Sequence, residues 1–170
     1  KFQNLPVHPD KIIVEDSNSG YEFFNTIGQE NNILCESAGG KSNIFSKLQS
    51  IGQETVCVIA DGAAIGPEMN RLYEITERKS NIVLYFPESF EWLILKSGLV
   101  TDGDIKTILQ EPEEYIESKD YFSWERYFTK LLIERTQDTY LQYQKTKLNP
   151  VYLHDKIKHT IISVMQGIIL

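Results

Sequence analysis

The chain contains the sequence TVCVIADG at residues 55–62, and this stretch decides the fold class. Its first six residues are apolar or β-branched, a composition typical of a strand within a covered parallel sheet. Asp61 and Gly62 end the run and begin a loop, after which Pro67 can open a helix that continues through Ile75. The stretch therefore predicts a strand, a loop and a helix, in that order.

The same order of strand, loop and helix occurs three more times. Short apolar runs at residues 11–14, 32–35 and 81–86 each precede a turn and a segment with helical periodicity. Strands that alternate with helices form right-handed βαβ crossovers, which give parallel strands covered by helices on both faces. The predicted fold class is therefore α/β, with a mainly parallel sheet of about four strands.

Beyond residue 100 the strand pattern stops and helical patterns replace it. They cover residues 102–110, 112–117, 123–143 and 153–168. We therefore expect residues 1–100 to form the α/β domain and residues 101–170 to form a helical extension packed on it. Because only Asn149 and Pro150 punctuate the extension, the two parts could form one structural unit.

Length and charge limit the class of protein. The 170 residues can bury one substantial core, and the net charge of −7 argues against a broad phosphate-binding surface of Lys and Arg. Cys35 and Cys57 lie in apolar runs and predict neither a disulfide framework nor a zinc site. The apolar runs are too short for a membrane helix and no signal peptide is recognised, so a cytoplasmic location without membrane contact is expected. Since the sequence begins with Lys1, a further domain could precede it.

Acidic residues stand where the predicted strands become loops. Glu15 and Asp16 follow the first strand, and Asp61 follows the third. Glu88 and Glu91 come shortly after the fourth. Ligands of open parallel sheets bind beyond the carboxyl ends of the strands, and carboxylates gathered there suit hard cations such as Mg²⁺ or Mn²⁺. The pattern favours metal-assisted phosphoryl chemistry; carboxylates that only cap the next helix or face solvent are the alternative.

This arrangement resembles the Toprim family, the catalytic module of topoisomerases, bacterial-type primases and overcoming-lysogenization-defect nucleases. The resemblance covers roughly residues 11–99. In that family a glutamate ends the first strand, as Glu15 does in the run IIVED. An Asp-x-Asp motif follows a later strand there, and VIADGA matches it in part, with Asp61 present and Ala63 in place of the second aspartate.

The resemblance implies a divalent metal ion, Mg²⁺ or Mn²⁺, held by Glu15 and Asp61, with Glu15 as general acid or base at a phosphodiester. The sequence FPESFEWL at residues 86–93 looks like the acidic strand-to-helix segment of nuclease-type relatives, so Glu88 or Glu91 could compensate in part for Ala63. The implied function is a nuclease-like enzyme that works on nucleic acid, with an ATPase domain or a partner protein. The alternative is a noncatalytic module of the same fold that binds nucleic acid or protein.

A glycine-rich turn precedes the second predicted helix and consists of Gly39, Gly40, Lys41 and Ser42. It is not a P-loop, because that motif needs a glycine at the position of Cys35. Glycine amides, a helix N-terminus and a lysine could still bind one phosphate of a nucleic-acid strand. A turn followed by a solvated lysine is the alternative.

The acids also resemble those of response-regulator receivers, in which an acidic pair ends the first strand and a phosphoacceptor aspartate ends the third. Glu15 and Asp16 would be the pair, and Asp61 the phosphoacceptor. Receivers need a fifth strand ending in Lys-Pro, whereas this sequence has only helical patterns after Gly98. A receiver-like signalling domain phosphorylated at Asp61 is therefore the third hypothesis.

The predicted extension also carries an aromatic cluster. It consists of Tyr115, Tyr121, Phe122, Trp124, Tyr127 and Phe128. Such rings could stack nucleic-acid bases in a channel. Because few Lys or Arg residues lie between them, the cluster favours packing of the extension onto the sheet.

Overall fold

The computed structural model describes residues 6–115 and 124–170. One sheet contains the strands β1 (Lys11–Val14), β2 (Leu34–Ser37), β3 (Val56–Ile59) and β4 (Ile82–Tyr85). Its order is β2-β1-β3-β4, and every neighbouring pair is parallel. The predicted α/β class with a parallel four-stranded sheet is thus confirmed.

Helices follow each strand and then make up the C-terminal part. They are α1 (Ser19–Glu30), α2 (Ile44–Gln49), α3 (Gly62–Ile65), α4 (Met69–Arg78), α5 (Phe90–Lys96), α6 (Ile105–Gln110), α7 (Trp124–Thr136) and α8 (Asp155–Ile162). The described residues also form 3-10 turns at Lys41–Asn43, Gly66–Glu68, Pro112–Glu114 and Pro150–Leu153. None of the described helices is long and apolar enough to cross a bilayer.

β1 lies between β2 and β3, and its residues alternate between two cores. Ile12 is opposite Cys35 on β2 and opposite Cys57 on β3. Ile12 and Val14 join a first core with α1, α5 and the C-terminal helices, whereas Ile13 joins a second core with α2 and α4. Helices therefore cover both faces of the sheet, which is the reason that the central strand β3 is entirely apolar, whereas the edge strand β2 carries Glu36 and Ser37.

The helical extension shares the first core with the sheet. The rings of Phe23 on α1 and Phe90 on α5 have centroids 5.2 Å apart, and the ring of Tyr143 lies 6.5 Å from that of Phe90. Tyr143 in turn contacts Tyr152 edge-on, with centroids 6.0 Å apart. The two predicted ranges, 1–100 and 101–170, thus meet through one continuous layer of buried side chains.

The helix predicted for residues 123–143 is shorter than expected. α7 ends at Thr136, whose hydroxyl donates to the carbonyl of Leu132 at 2.7 Å and accepts from the amide of Tyr143 at 3.0 Å. Asp138 has φ of 59°, a left-handed conformation that does not continue a helix. The apolar periodicity of the sequence does not reveal where α7 ends, because the end depends on hydrogen bonds of the Thr136 hydroxyl to the backbone. Residues 137–149 form a loop instead.

Two other predicted helices also differ from the structure. The range 112–117 contains only the 3-10 turn Pro112–Glu114, and residues 116–117 lie outside the described part of the chain. In the range 153–168, α8 covers only Asp155–Ile162, and Gly167 has a positive φ of 79°. The residue directly after this glycine, Ile168, forms an isolated parallel bridge with Val7.

The predicted packing of the aromatic cluster is confirmed in part. Tyr127 and Phe128 on α7 are buried in the first core. Trp124 and Tyr115, in contrast, expose a large part of their rings. The remaining members, which lie outside the described residues, are Tyr121 and Phe122.

Candidate functional site at the carboxyl edge of the sheet

The winding of the sheet reverses between β1 and β3, because β2 lies on one side of β1 while β3 and β4 lie on the other. Such a reversal opens a crevice at the carboxyl ends of the strands, where ligands of open α/β sheets bind. Glu15 directly follows β1 and Asp61 follows β3 after Ala60, so both stand at this crevice. The amide of Asp61 donates to Oε2 of Glu15 at 2.9 Å, which joins the two residues directly.

Gly62 fixes the position of Asp61 against the end of β4. Its amide donates to the carbonyl of Pro87 at 2.7 Å. A Cβ atom added at Gly62 would lie 3.1 Å from the carbonyl oxygen of Phe86 and 3.2 Å from that of Pro87. The absence of a side chain at this position therefore allows the turn after Asp61 to pack closely on the neighbouring strand.

A small cavity of about 20 Å³ lies at the crevice. Its polar lining comes from Glu15, Asp16 and Asp61, and the rest of the lining is made by Val14, Gly20, Phe24, Ile59, Pro87, Phe90 and Leu93. A cavity of this size has room for about one water molecule or one ion. The apolar walls leave the three carboxylates as the side chains that can bind it.

Burial and crowding of like charges perturb these acids. Burial raises the pKa of Asp61 well above its usual value, and the charges of Glu125 and Glu15 raise it further. Burial also raises the pKa of Glu15, although the hydrogen bond from the Asp61 amide opposes the rise. The pKa of Asp16 is raised by burial in the same way, against the hydrogen bond from the Asn18 amide. The site therefore favours a bound proton or cation.

Neither Glu91 nor Glu88 lines the small cavity, but Glu91 acts on Asp61 through its charge. Glu91 is buried in the first turn of α5, accepts a hydrogen bond from the hydroxyl of Tyr143 at 2.9 Å, and its charge raises the pKa of Asp61. Glu88 is exposed and lines a neighbouring cleft with Ala63. Of the three predicted metal ligands, the structure brings Glu15 and Asp61 together and places Glu88 outside the small cavity, in the neighbouring cleft.

The helical extension supplies two further charged groups that the sequence did not indicate. Glu125 on α7 interacts with Glu15 and Asp61, and its carboxylate pairs with the ammonium of Lys145. Burial works to lower the pKa of Lys145, but the bond to Glu125 and the charge of Glu91 raise it overall. No short-range spacing connects these residues with the strand ends, so pattern analysis could not find them.

A tether holds the Lys145 loop at the start of α1. The amide of Ser19 donates to the carbonyl of Lys145 at 3.1 Å, and the Ser19 hydroxyl donates to the carbonyl of Gln144 at 2.7 Å. Ser19 is fully buried and follows Asp16 by one short turn. The loop thus places an ammonium group over the acidic edge of the sheet.

The glycine-rich turn uses its own amides within the chain. Gly39 and Gly40 have φ of 70° and 126°, which only glycine adopts without strain. The amide of Gly39 donates to the hydroxyl of Ser37 at 3.0 Å, and that of Gly40 donates to the carbonyl of Glu15 at 2.8 Å. These two amides therefore bond to the ends of β2 and β1 and are not directed at an external phosphate.

Lys41 and Ser42 complete the turn. The ammonium of Lys41 donates to the carbonyl of Ala64 at 2.8 Å, which ties the turn to α3, and Ser42 is exposed. The positive charge of Lys41 also acts on Glu15, where it opposes the rise in pKa. An ammonium has three donors, so Lys41 can contact a phosphate while it keeps this bond.

The carboxylates of Glu15 and Asp61 suit a hard cation that takes only one or two ligands from the protein. Within residues 6–115 and 124–170, no three His, Cys, Asp or Glu side chains are already arranged to hold a metal ion. Mg²⁺ is commonly held by one or two carboxylates, with water and substrate phosphates as its other ligands. Glu15 and Asp61, beside a cavity with room for one ion, fit this mode of binding.

Comparisons with protein-family models, with curated proteins and with solved structures give no match to this chain. The resemblance to the Toprim family therefore depends on the motif residues alone. The main functional feature of the chain is the acidic site, where Glu15 and Asp61 are joined and both have a raised pKa.

Proposed function

We propose that this chain is a Toprim-like, metal-dependent nucleic-acid enzyme with nuclease-like chemistry at a phosphodiester. The observation that carries the proposal is the placement of Glu15 and Asp61 on adjacent strands at the winding reversal, where both line one cavity with room for an ion. Mg²⁺ or Mn²⁺ is the cofactor, and Glu15 and Asp61 are the residues that hold it. An ATPase domain or a partner protein would direct the reaction.

The balance of charge supports a cation at this site. Electrostatic interactions connect five carboxylates, those of Glu15, Asp16, Asp61, Glu91 and Glu125. Two ammonium groups act on these acids, that of Lys41 on Glu15 and that of Lys145, which is already paired with Glu125. The remaining negative charge is costly at a partly buried position unless protons or cations offset it.

A divalent ion bound here would polarise a phosphoryl oxygen and offset the charge that develops in the transition state. The chain's own groups have distinct roles around it. One carboxylate oxygen of Glu15 is fixed by the Asp61 amide, and the other can accept a proton from an attacking water molecule. Its raised pKa brings Glu15 closer to the range in which a carboxylate can both accept and release a proton.

Lys145 and Glu91 support this arrangement from the other side. The Lys145 ammonium lies among the acids and can offset negative charge on a bound phosphate. The Tyr143 hydroxyl fixes the carboxylate of Glu91, which keeps a second acid in place near Asp61. Glu91 lies on α5 and Lys145 lies in the loop after α7, so both reach the site from outside the sheet.

A noncatalytic module that binds nucleic acid or protein is the second candidate. It is favoured by Ala63 in place of a second aspartate and by the lack of a ready-made group of three ligands among the described residues. Under this hypothesis Lys145 would replace the metal ion as the permanent counter-charge of the site.

The receiver hypothesis is less compatible with the charges around Asp61. A phosphoryl group adds about −1.5 to −2 charges at neutral pH. On Asp61 it would stand beside the carboxylates of Glu15, Glu91 and Glu125, with Lys145 as the nearby ammonium. Repulsion among these anions disfavours phosphorylation at this position.

The test is a cleavage assay with purified protein on single-stranded, duplex and supercoiled DNA and on RNA. Each substrate is incubated with Mg²⁺, with Mn²⁺ and with EDTA. We expect metal-dependent cleavage that is lost in Asp61→Asn and retained in Glu77→Gln, a matched carboxylate change at an exposed position on α4. If no substrate is cut and Asp61→Asn leaves nucleic-acid or protein binding intact, the noncatalytic module replaces the enzyme.

A further inference from the structure

A wider cleft lies next to the acidic site. It has a volume of about 630 Å³ and is lined by Gly62, Ala63, Met69, Tyr73, Phe86, Glu88 and Trp124. Ligand-binding clefts in proteins commonly have volumes of about 300 to 1,000 Å³. The cleft is therefore large enough for a planar ring system and its attached sugar.

The cleft and the acidic site share two stretches of backbone. Asp61 lines the small cavity, and the next residues, Gly62 and Ala63, line the cleft. Glu125 interacts with the acidic site, and the preceding residue, Trp124, lines the cleft. A group held in the cleft would consequently lie next to a phosphodiester bound at Glu15 and Asp61.

Two exposed aromatic side chains dominate the cleft. Tyr73 on α4 is 53% exposed and Trp124 at the start of α7 is 37% exposed. The ring of Trp124 lies 6.3 Å from that of the buried Phe128, which supports it from behind. Ala63, two residues after Asp61, lines the same cleft with a small side chain. Aromatic faces in such a position can stack on another planar ring.

The charge of the lining limits what can bind. Among the described residues that line the cleft, Glu88 is the charged one and none is Lys or Arg. A phosphate or another anion would be repelled by this carboxylate. A neutral planar group with N–H donors is complementary, because its faces can stack on the rings while Glu88 accepts a hydrogen bond. A nucleobase has both properties.

We infer that this cleft binds an unpaired nucleobase next to the scissile phosphodiester, stacked on Trp124 and Tyr73, and that the substrate is a single-stranded nucleic acid. The inference rests on the proposed function for the nature of the bound strand. Bases within a duplex are stacked and paired, so they would have to be extruded before they could enter the cleft. Base stacking on aromatic side chains tolerates many sequences, so little sequence preference is expected.

The binding test exploits the two tryptophans of the chain. In a Trp92→Phe background Trp124 is the only tryptophan, and a single-stranded oligonucleotide should quench its fluorescence in EDTA, where no cleavage occurs. Duplex of the same sequence should quench it far less. Absence of quenching by the single strand, or equal quenching by the duplex, would overturn the inference.

Affinities measured by fluorescence anisotropy provide the matched comparison. Tyr73→Ala and Trp124→Ala should each weaken single-strand binding roughly 5- to 100-fold, the range for loss of one stacked base. Trp124→Phe should restore most of the affinity. Tyr140→Ala removes a tyrosine that is 70% exposed and does not line the cleft, and it should have no effect. Equal affinities for the cleft variants and for Tyr140→Ala would contradict the inference.

Oligonucleotides that are abasic at every position test the wild-type protein without a substitution. A fully abasic strand should bind more weakly than the intact strand, and this difference should be smaller in Trp124→Ala than in the wild type. If metal-dependent cleavage persists while neither change matters, the nucleobase site is wrong and the enzyme stands. If the cleft variants and abasic strands weaken binding but Glu15→Gln leaves cleavage unchanged, the nucleobase site stands and the proposed catalytic site is wrong.

Discussion

Glu36 on β2 and Asp61 after β3 are carboxylates of one sheet with opposite surroundings. Glu36 lies at the edge of the sheet between two lysines, with Lys11 Nζ at 2.7 Å and Lys47 also paired to it. Hydrogen bonds from Lys11 and Lys47 lower the pKa of Glu36. Burial and neighbouring acids raise that of Asp61 instead. The negative charge of Glu36 is offset by lysines at the edge strand, where charged side chains discourage pairing with another chain. At the crevice several carboxylates surround Asp61, and perturbed pKa values of this kind are common at functional sites.

The largest expected effect is on the rate of cleavage, which should depend on the acidic site and not on Glu36. Glu15→Gln keeps the shape of the side chain but removes its charge and its capacity to transfer a proton, so cleavage should fall by roughly 1,000-fold. Glu36→Gln, the same change at the balanced carboxylate, should alter the rate less than about twofold. Initial rates at saturating Mg²⁺ measure both. Undiminished cleavage by Glu15→Gln would show that the chemistry lies elsewhere.

A smaller effect is expected at the glycine-rich turn. Lys41→Ala removes an ammonium that can contact a substrate phosphate, so KM should rise about tenfold with little change in kcat. Lys47→Ala, which removes one partner of Glu36, is the control and should leave KM unchanged. A fall in kcat for Lys41→Ala without a rise in KM would mean that its bond to the Ala64 carbonyl positions the site.

Metal binding should stabilise the folded chain through the acidic site alone. With a Kd of about 1 mM, 10 mM Mg²⁺ should raise the free energy of unfolding by about 1.4 kcal/mol. Asp61→Asn should abolish this gain, and Glu36→Gln should retain it. Urea unfolding with and without Mg²⁺ measures the difference. An equal gain in Asp61→Asn would place the ion away from Asp61.

The smallest expected effects are on the free energy of unfolding, which Asp61→Asn should raise and Glu36→Gln should lower. The folded state holds the Asp61 proton to higher pH than the unfolded state does, so this residue's contribution to stability is lost as pH rises from about 4 through its folded pKa. Asp61→Asn removes that loss and should raise the free energy of unfolding at pH 8 by about 1 kcal/mol in EDTA. A fall in stability at pH 8 would contradict the raised pKa.

Glu36 should behave in the reverse manner. Because its folded pKa is lowered, its contribution to stability is present above about pH 4.3 and is lost as pH falls through the folded pKa. Glu36→Gln should therefore lower the free energy of unfolding at pH 7, by less than about 1 kcal/mol because the pair is partly exposed. Urea unfolding at pH 7 and pH 3 should show the difference shrinking in acid.

The sequence was sufficient for β1, β3 and β4 because each lies within a predicted apolar run that ends in a turn. The second strand was predicted at residues 32–35, but β2 covers Leu34–Ser37 and includes the polar residues Glu36 and Ser37. The run predicted at residues 55–60, for example, contains the observed strand Val56–Ile59. Its alternation between two cores follows from the same apolar residues. Glu15 and Asp61 could be placed at strand ends for this reason, but their pairing depends on the winding reversal, which is a property of the whole sheet.

The rest of the site could not be predicted because it depends on contacts distant in sequence. Lys145 reaches the acids through a loop that begins where the Thr136 hydroxyl ends α7 and that binds Ser19. Glu125 enters through the packing of α7 on α5 and α3. In the glycine-rich turn, residue types suggested free amides, whereas the backbone of β1 and the hydroxyl of Ser37 already accept them.

The tether between Ser19 and the Lys145 loop also limits how this fold can be divided or recombined. A fragment that stops near residue 100 would retain both strand-end acids and Lys41, but it would lose the Lys145 ammonium and the carbonyl that accepts from the Ser19 hydroxyl. The acidic edge therefore keeps its present hydrogen bonds and charges only when the sheet and the extension are in the same molecule. Swapping the extension for that of another protein would alter the electrostatics of the acidic edge, even if every strand were left intact.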